Sequence, residues 1–203
     1  MRRLFALLGT WIVVLSAAEY PGAHWEKHSR AGWSEELLKG TRNFAATKKT
    51  AAMMIVQGGR VVDQWGDVDK KIEVRSIRKS FLSALYGIHV SDGRIDLGKT
   101  MAEIGIDDLP PALTAAEKQA TILDLLRARS GIYHEAARET PGMRAKRPAR
   151  GSHPPGTFWY YNNWDFNVLG TIFEKLTGKG IFEDFAQQIA KPIGMEDYVV
   201  SDG

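Results

Sequence analysis

The order of apolar and polar positions along the chain changes character several times. Residues 4–15 are almost wholly apolar, behind Met1-Arg2-Arg3 and ahead of the small residues Ser16-Ala17-Ala18. Residues 34–46 are predicted to be a helix, with Ser34 as N-cap and Glu35 and Glu36 in its first turn. Residues 51–56 and 60–65 are short apolar, β-branched runs on either side of Gln57-Gly58-Gly59. That is a hairpin pattern, because glycine accepts the positive φ of a tight turn. After Trp65 the spacing lengthens. Ile77, Phe81, Leu85 and Ile88 fall on one helical face across residues 76–91, and Asp92-Gly93 ends that helix. Further helical patterns cover 115–128, stopped by Ser130-Gly131, then 164–177 and 181–190, separated by Gly178-Lys179-Gly180. Residues 138–156, rich in Pro, Gly and Arg, read as a solvated basic loop. Tyr198-Val199-Val200 reads as a new strand.

A lone hairpin is marginal in water and leaves two open edges. Almost no strand pattern follows residue 66 to cover them. The expectation is that a partner supplies strands, with self-association through the open edges as one outlet, or that the sheet is incomplete in this chain.

The composition is that of a globular protein: 44% apolar and 25% charged among 203 residues. There is no cysteine, which excludes disulfides, thiolate metal sites and cysteine nucleophiles. With 27 basic and 24 acidic residues the charge is too balanced to argue for nucleic acid. The N-terminal pattern has the basic, apolar and small-residue parts of a secretory signal, with cleavage expected after Ala18. Its apolar run is shorter than the roughly 20 residues a membrane anchor needs. The expected organisation is a signal peptide over 1–18 and one domain over 19–203, periplasmic or secreted, with no stable membrane anchor after cleavage.

Two segments could carry chemistry. In Ser76-Ile77-Arg78-Lys79, a serine and a lysine three apart share one helical face. A neutral lysine there could take the proton of a hydroxyl that is a poor nucleophile unaided. The segment opens an apolar helix, whose N-terminal N–H groups favour developing negative charge. The second segment is Pro154-Pro155-Gly156 followed by Trp159-Tyr160-Tyr161-Asn162-Asn163. A phenolate near cations can act as a general base, and an asparagine can orient a substrate amide. Two registers fit: Tyr160 with Asn162, or Tyr161 with Asn163. His24-x-x-x-His28 has helical ligand spacing without a third ligand, and His134 and His153 read as loop or surface histidines.

Taken together these elements resemble the serine β-lactamase and penicillin-recognising hydrolase superfamily. The nearest group is its class C-like branch of D-aminopeptidases, DD-carboxypeptidases and β-lactamase-fold esterases. Ser76-Ile77-Arg78-Lys79 is similar to the S-x-x-K segment, and Asp92-Gly93-Arg94-Ile95-Asp96-Leu97 to the D/E-G-x-L-D-L stretch. Ile122-Leu123-Asp124-Leu125-Leu126 with Ser130-Gly131-Ile132 resembles I-x-x-L-L-x-x-x-S-G-L. Pro155-Gly156-Thr157 leading to Tyr161-Asn162-Asn163 and Leu169-Gly170 resembles P-P-G-x-x-x-x-Y-x-N-x-x-Y-x-x-L-G, whose spacing selects Tyr161 and Asn163. Ile193-Gly194-Met195 is similar to the P-L-G-M turn.

The resemblance implies an α+β fold of the β-lactamase/transpeptidase-like kind. It implies Ser76 as acyl-accepting nucleophile, a Lys79/Tyr161 base system, Asn163 as substrate-binding residue, and no cofactor or metal. The implied substrate is a small ester, amide or peptide. Which of Lys79 and Tyr161 takes the first proton stays open, since the two form one coupled system. The family's third motif, K-T-G or H-x-G on a C-terminal strand, has no match in this sequence. The expectation is therefore a C-terminally truncated member, either hydrolytic or surviving as a catalytically impaired binding protein. Loss of one oxyanion donor alone costs about 10²–10³ in kcat.

Overall fold

In the computed structural model, residues 24–203 are described, and they fall into two units: the chain up to Glu73, and Val74–Gly203. The expected signal segment, residues 1–18, lies outside the described residues.

In the first unit Ser34 caps helix α1 (Glu35–Thr47) by accepting from the Leu37 N–H. Strands β1 (Ala52–Gln57) and β2 (Arg60–Gly66) pair antiparallel around Gly58 and Gly59, whose φ values are 57° and 77°. Left-handed backbone at both turn residues matches the twist of the flanking strands. A register shift pairs Ile55 with Asp63 but Val56 with Val61, so Val62 is an extra residue. Val61, Val62 and Asp63 are consequently buried in succession rather than alternately. The hairpin is partly covered by its own chain: His28 N–H donates to the Val61 carbonyl, and Val61 N–H to that of Glu26, both at 2.8 Å. The buried Asp63 accepts from Arg30 at 2.9 Å and Arg42 at 2.6 Å, and Glu35 bridges the two guanidinium groups.

In the second unit, helix α2 (Arg78–Ser91) follows a 3-10 turn over Arg75–Ile77. Its inward face is rotated from the predicted one. Ile77 is 63% exposed, whereas Leu85, Tyr86 and His89 are buried. His89 can lie inside because both ring nitrogens have partners, Asp184 Oδ2 at 2.6 Å and Asp92 Oδ2 at 3.3 Å. The predicted helix over 115–128 is two pieces, a 3-10 turn Glu117–Gln119 and a helix, Ile122–Leu126. Thr121 breaks it with a capping box: its hydroxyl accepts from Asp124 N–H, and the Asp124 carboxylate accepts from Thr121 N–H. The same device, Thr100 with Glu103, starts the unpredicted α3 (Met101–Ile104), so that Ile122–Leu126 is α4.

The segment 138–156, expected as loop, contains α5 (Pro141–Lys146), which Thr140 caps, with proline in the first turn where its missing N–H is harmless. It is also less free than a solvated loop. Arg147 pairs with the buried Glu139, and Arg150 grips both oxygens of Glu117. Helix α6 (Asn163–Thr177) ends at Gly178, φ 70°, and α7 (Ile181–Phe185) continues into a π turn over Ala186–Ala190. Tyr198-Val199-Val200 is not a strand. A 3-10 turn covers Val200–Asp202, and the Tyr198 ring instead meets Phe185 edge-on at 4.8 Å. The core of this unit gathers Leu85, Tyr86, Met101, Ile122, Leu125, Leu169, Ile172 and Phe173. His134 is buried rather than on the surface: its Nδ1 lies 2.7 Å from Asp108 Oδ2, which also accepts from Trp164 Nε1 at 2.8 Å.

Candidate active site

Ser76 lies in the 3-10 turn ahead of α2 and is exposed. Arg75 before it has φ 47°, a region non-glycine residues enter at a cost. Lys79 follows one turn later and is half-buried. Its Nζ donates to Asn163 Oδ1 at 3.0 Å and lies 4.6 Å from the centre of the Phe166 ring and 5.3 Å from that of Tyr161. Burial lowers the Lys79 pKa and the Arg78 charge lowers it further; the Tyr161 hydroxyl opposes both. An ammonium held this way sits closer to proton release than a lysine in water, which is the condition for taking a proton from a hydroxyl.

Tyr161 and Asn163 reach this point because the chain before α6 is extended, so that successive side chains face opposite ways. Tyr160 and Asn162 turn inward. Tyr160 N–H donates to the Ala128 carbonyl and its hydroxyl to the Met143 carbonyl at 2.9 Å, while Asn162 Nδ2 donates to the Ile132 carbonyl at 2.6 Å. Tyr161 turns outward and is 37% exposed. Asn163 opens α6, and its Nδ2 donates to the Arg138 carbonyl at 3.3 Å while its Oδ1 meets Lys79. The register Tyr161 with Asn163 therefore faces Lys79, and Tyr160 with Asn162 belongs to the interior. Trp164 is buried with them, whereas Trp159 is exposed.

The structure thus brings Lys79, Tyr161 and Asn163 together and leaves Ser76 one turn away on the surface. Among the described residues none of the three bonds to the Ser76 hydroxyl. Three participants have no counterpart in the sequence-based expectations. Phe166 lies under the Lys79 ammonium, and the Arg138 carbonyl orients Asn163. Asp165 is fully buried, with Oδ1 accepting from Ser130 Oγ at 2.5 Å and from Asn162 Nδ2 at 2.9 Å. The available sign of the last is the i, i+3 spacing of Asn162 and Asp165 across a helix start.

Comparison with known proteins places this arrangement. The unguisins hydrolase ungD' of Aspergillus campestris (strain IBT 28561) is 28% identical over 141 residues, covering 62% of this chain and 26% of that protein. The octameric penicillin-binding protein homologue from Pyrococcus abyssi superposes with a TM-score of 0.58 at 20% identity, over 79% of this chain and 43% of that one. The D-alanine carboxypeptidase AmpC from Burkholderia cenocepacia does so with 0.56 at 22% identity, over 80% and 50%. The chain spans half or less of the length of these relatives, and the likeness of the structures is one of fold. Residues 41–202 match the model of the family described as Beta-lactamase, and the chain belongs to that family.

Proposed function

We propose that this protein contributes a serine-hydrolase centre that cleaves an ester or amide through a serine acyl-enzyme. In the proposed cycle Ser76 Oγ bonds to the substrate carbonyl carbon and its proton passes into the Lys79/Tyr161 pair. The leaving group departs with that proton, and water, activated by the same pair, hydrolyses the Ser76 ester. Asn163 holds Lys79 and a substrate amide. The observation that carries the reading is the Lys79 ammonium, one turn after Ser76, held between the Asn163 amide oxygen and the rings of Tyr161 and Phe166. The names of the relatives, an unguisins hydrolase and a D-alanine carboxypeptidase, support hydrolysis; class C β-lactamases are among the similar structures as well, and the proposal stays with the ester or amide class. The proposed setting is extracytoplasmic, on the pattern of residues 1–18.

The test is the intact mass of the chain after exposure to a fluorophosphonate, beside a Ser76→Ala control. One adduct, absent from the control, is the expected result. Folded protein without an adduct would overturn the reading and leave a non-catalytic binding role.

A further inference from the structure

The polar groups buried around Asp165 take no part in the chemistry above, yet they hold the segment that carries it. We propose that Ser130, Asn162 and Asp165 form a buried latch that positions Tyr161 and Asn163 against Lys79, with Asp165 as its central positioning residue. This rests on the functional reading above.

The residues that flank Tyr161 and Asn163 are tied down. Tyr160 N–H donates to the Ala128 carbonyl before Tyr161. Asn162, between Tyr161 and Asn163, gives its Nδ2 to the Ile132 carbonyl and to Asp165 Oδ1, and its Oδ1 accepts from Trp164 N–H at 3.2 Å. Ser130 closes the circuit from the other side: it donates to Asp165 at 2.5 Å and accepts from Ile132 N–H at 3.0 Å. Ser130, Asn162 and Asp165 are all buried, at 1%, 2% and 0% exposure.

Apolar side chains here would serve burial at least as well, because a buried polar group gains little net stability. What hydrogen bonds add is direction. They fix the register of an extended segment in which a shift of one residue would exchange Tyr161 for Tyr160 and Asn163 for Asn162. The latch is also incompletely satisfied. Among the described residues, Asp165 Oδ2 and the nearby Tyr133 hydroxyl are buried without partners. Burial pushes Asp165 up to about 8, with the Asp124 charge adding to it, so the carboxyl holds its proton at neutral pH. Burial, and to a lesser degree the nearby Asp165, likewise raises the Tyr133 phenol.

The test follows fluorophosphonate labelling of Ser76 against pH in the full chain and in Ser130→Ala, Asp165→Ala and Asp165→Asn. The alanine variants should label about 10²-fold more slowly, the effect of a displacement of roughly 1 Å. Asp165→Asn keeps an acceptor at Oδ1 and should recover most of the loss. It should also lack a decline in rate above about pH 8 that the parent shows as Asp165 ionises. The other groups of the site are the same in both proteins, so the difference between them isolates Asp165. Labelling of folded Ser130→Ala at the parent rate overturns the latch, whatever its melting temperature. If the parent chain does not label, the functional reading fails by itself, and amide exchange at Tyr160 and Trp164, whose N–H groups donate to the Ala128 carbonyl and to Asn162 Oδ1, decides the latch. Exchange about tenfold faster in Ser130→Ala supports it, on the scale of one lost hydrogen bond; unchanged exchange overturns it.

Discussion

Asp63 in the first unit and Asp165 in the second are both buried carboxylates, and they are accommodated in opposite ways. Asp63 on β2 is 3% exposed and meets two arginines, Arg30 and Arg42, which Glu35 links into a ring of alternating charge. Asp165 on α6 is 0% exposed and is held by a hydroxyl and an amide. Desolvation disfavours a charged carboxylate in either place, and partners decide how the penalty is answered. Around Asp63 the chain supplies guanidinium groups, whose outer faces stay in water. Around Asp165 it supplies neutral donors, and burial pushes its pKa up to about 8. The hairpin is tied to α1 by charge; the segment that carries the candidate site is tied by uncharged directional bonds.

The largest test of this contrast leaves both carboxylates alone. Gly131, beside Ser130, has φ 71°, and a Cβ there would lie 2.6 Å from the His153 carbonyl oxygen and 3.1 Å from Pro154 C. Gly131→Ala should destabilise the second unit by about 4 kcal/mol, read by amide exchange over residues 128–132 and by denaturant unfolding. Asp63→Ala should lower the stability of the hairpin by about 2–3 kcal/mol, since two charge-assisted bonds are lost while the arginines can still turn to water. Exchange at the β2 amides checks it, and the second unit should be unaffected.

Asp165→Asn should act with the opposite sign as pH rises. The folded pKa of about 8 stands above the ordinary 3.8, so the parent is most stable where the acid is protonated in both states. It loses stability as pH climbs from about 4 towards 8. The asparagine variant has no such slope, and should gain at least about 1.4 kcal/mol on the parent between pH 5 and pH 7. Equal slopes would mean that Asp165 ionises normally and would remove half of the comparison. The smallest effect is expected at Gly58, where φ is 57° but nothing lies within 4 Å of the place a methyl group would occupy. Gly58→Ala should cost about 1–2 kcal/mol, the backbone penalty alone, in the same exchange measurement.

Local signals in the sequence are legible where one residue type decides the structure. Ser34 announces α1, Gly58-Gly59 the hairpin, and Asp92-Gly93 and Gly178 the ends of two helices. Legibility is lost where polar groups override periodicity. The face of α2 departs from its apolar spacing because His89 is carried inside by Asp184, and hydrophobic spacing cannot count a histidine as core. The pattern over 115–128 runs through Thr121 because a capping threonine inside an apolar stretch looks like a tolerated polar residue. His134 has the look of a surface residue because its partner Asp108 lies 26 positions away in sequence. Tyr198-Val199-Val200 has strand composition, but no strand lies beside it among the described residues. At the candidate site, motif spacing points to Lys79, Tyr161 and Asn163, which do meet. Asp165 leaves only its i, i+3 spacing from Asn162, since a lone buried acid is visible only once its neighbours are known.

The alternation at residues 159–162 has a consequence for anyone who varies this protein by random mutagenesis. Neighbouring codons there answer to different demands: 160 and 162 to the interior, 159 and 161 to whatever lies outside. A library that varies 159 and 161 and holds 160 and 162 explores recognition on an intact scaffold. A library shifted by one codon varies Tyr160 and Asn162 instead, and so removes the bonds that hold this segment to the interior.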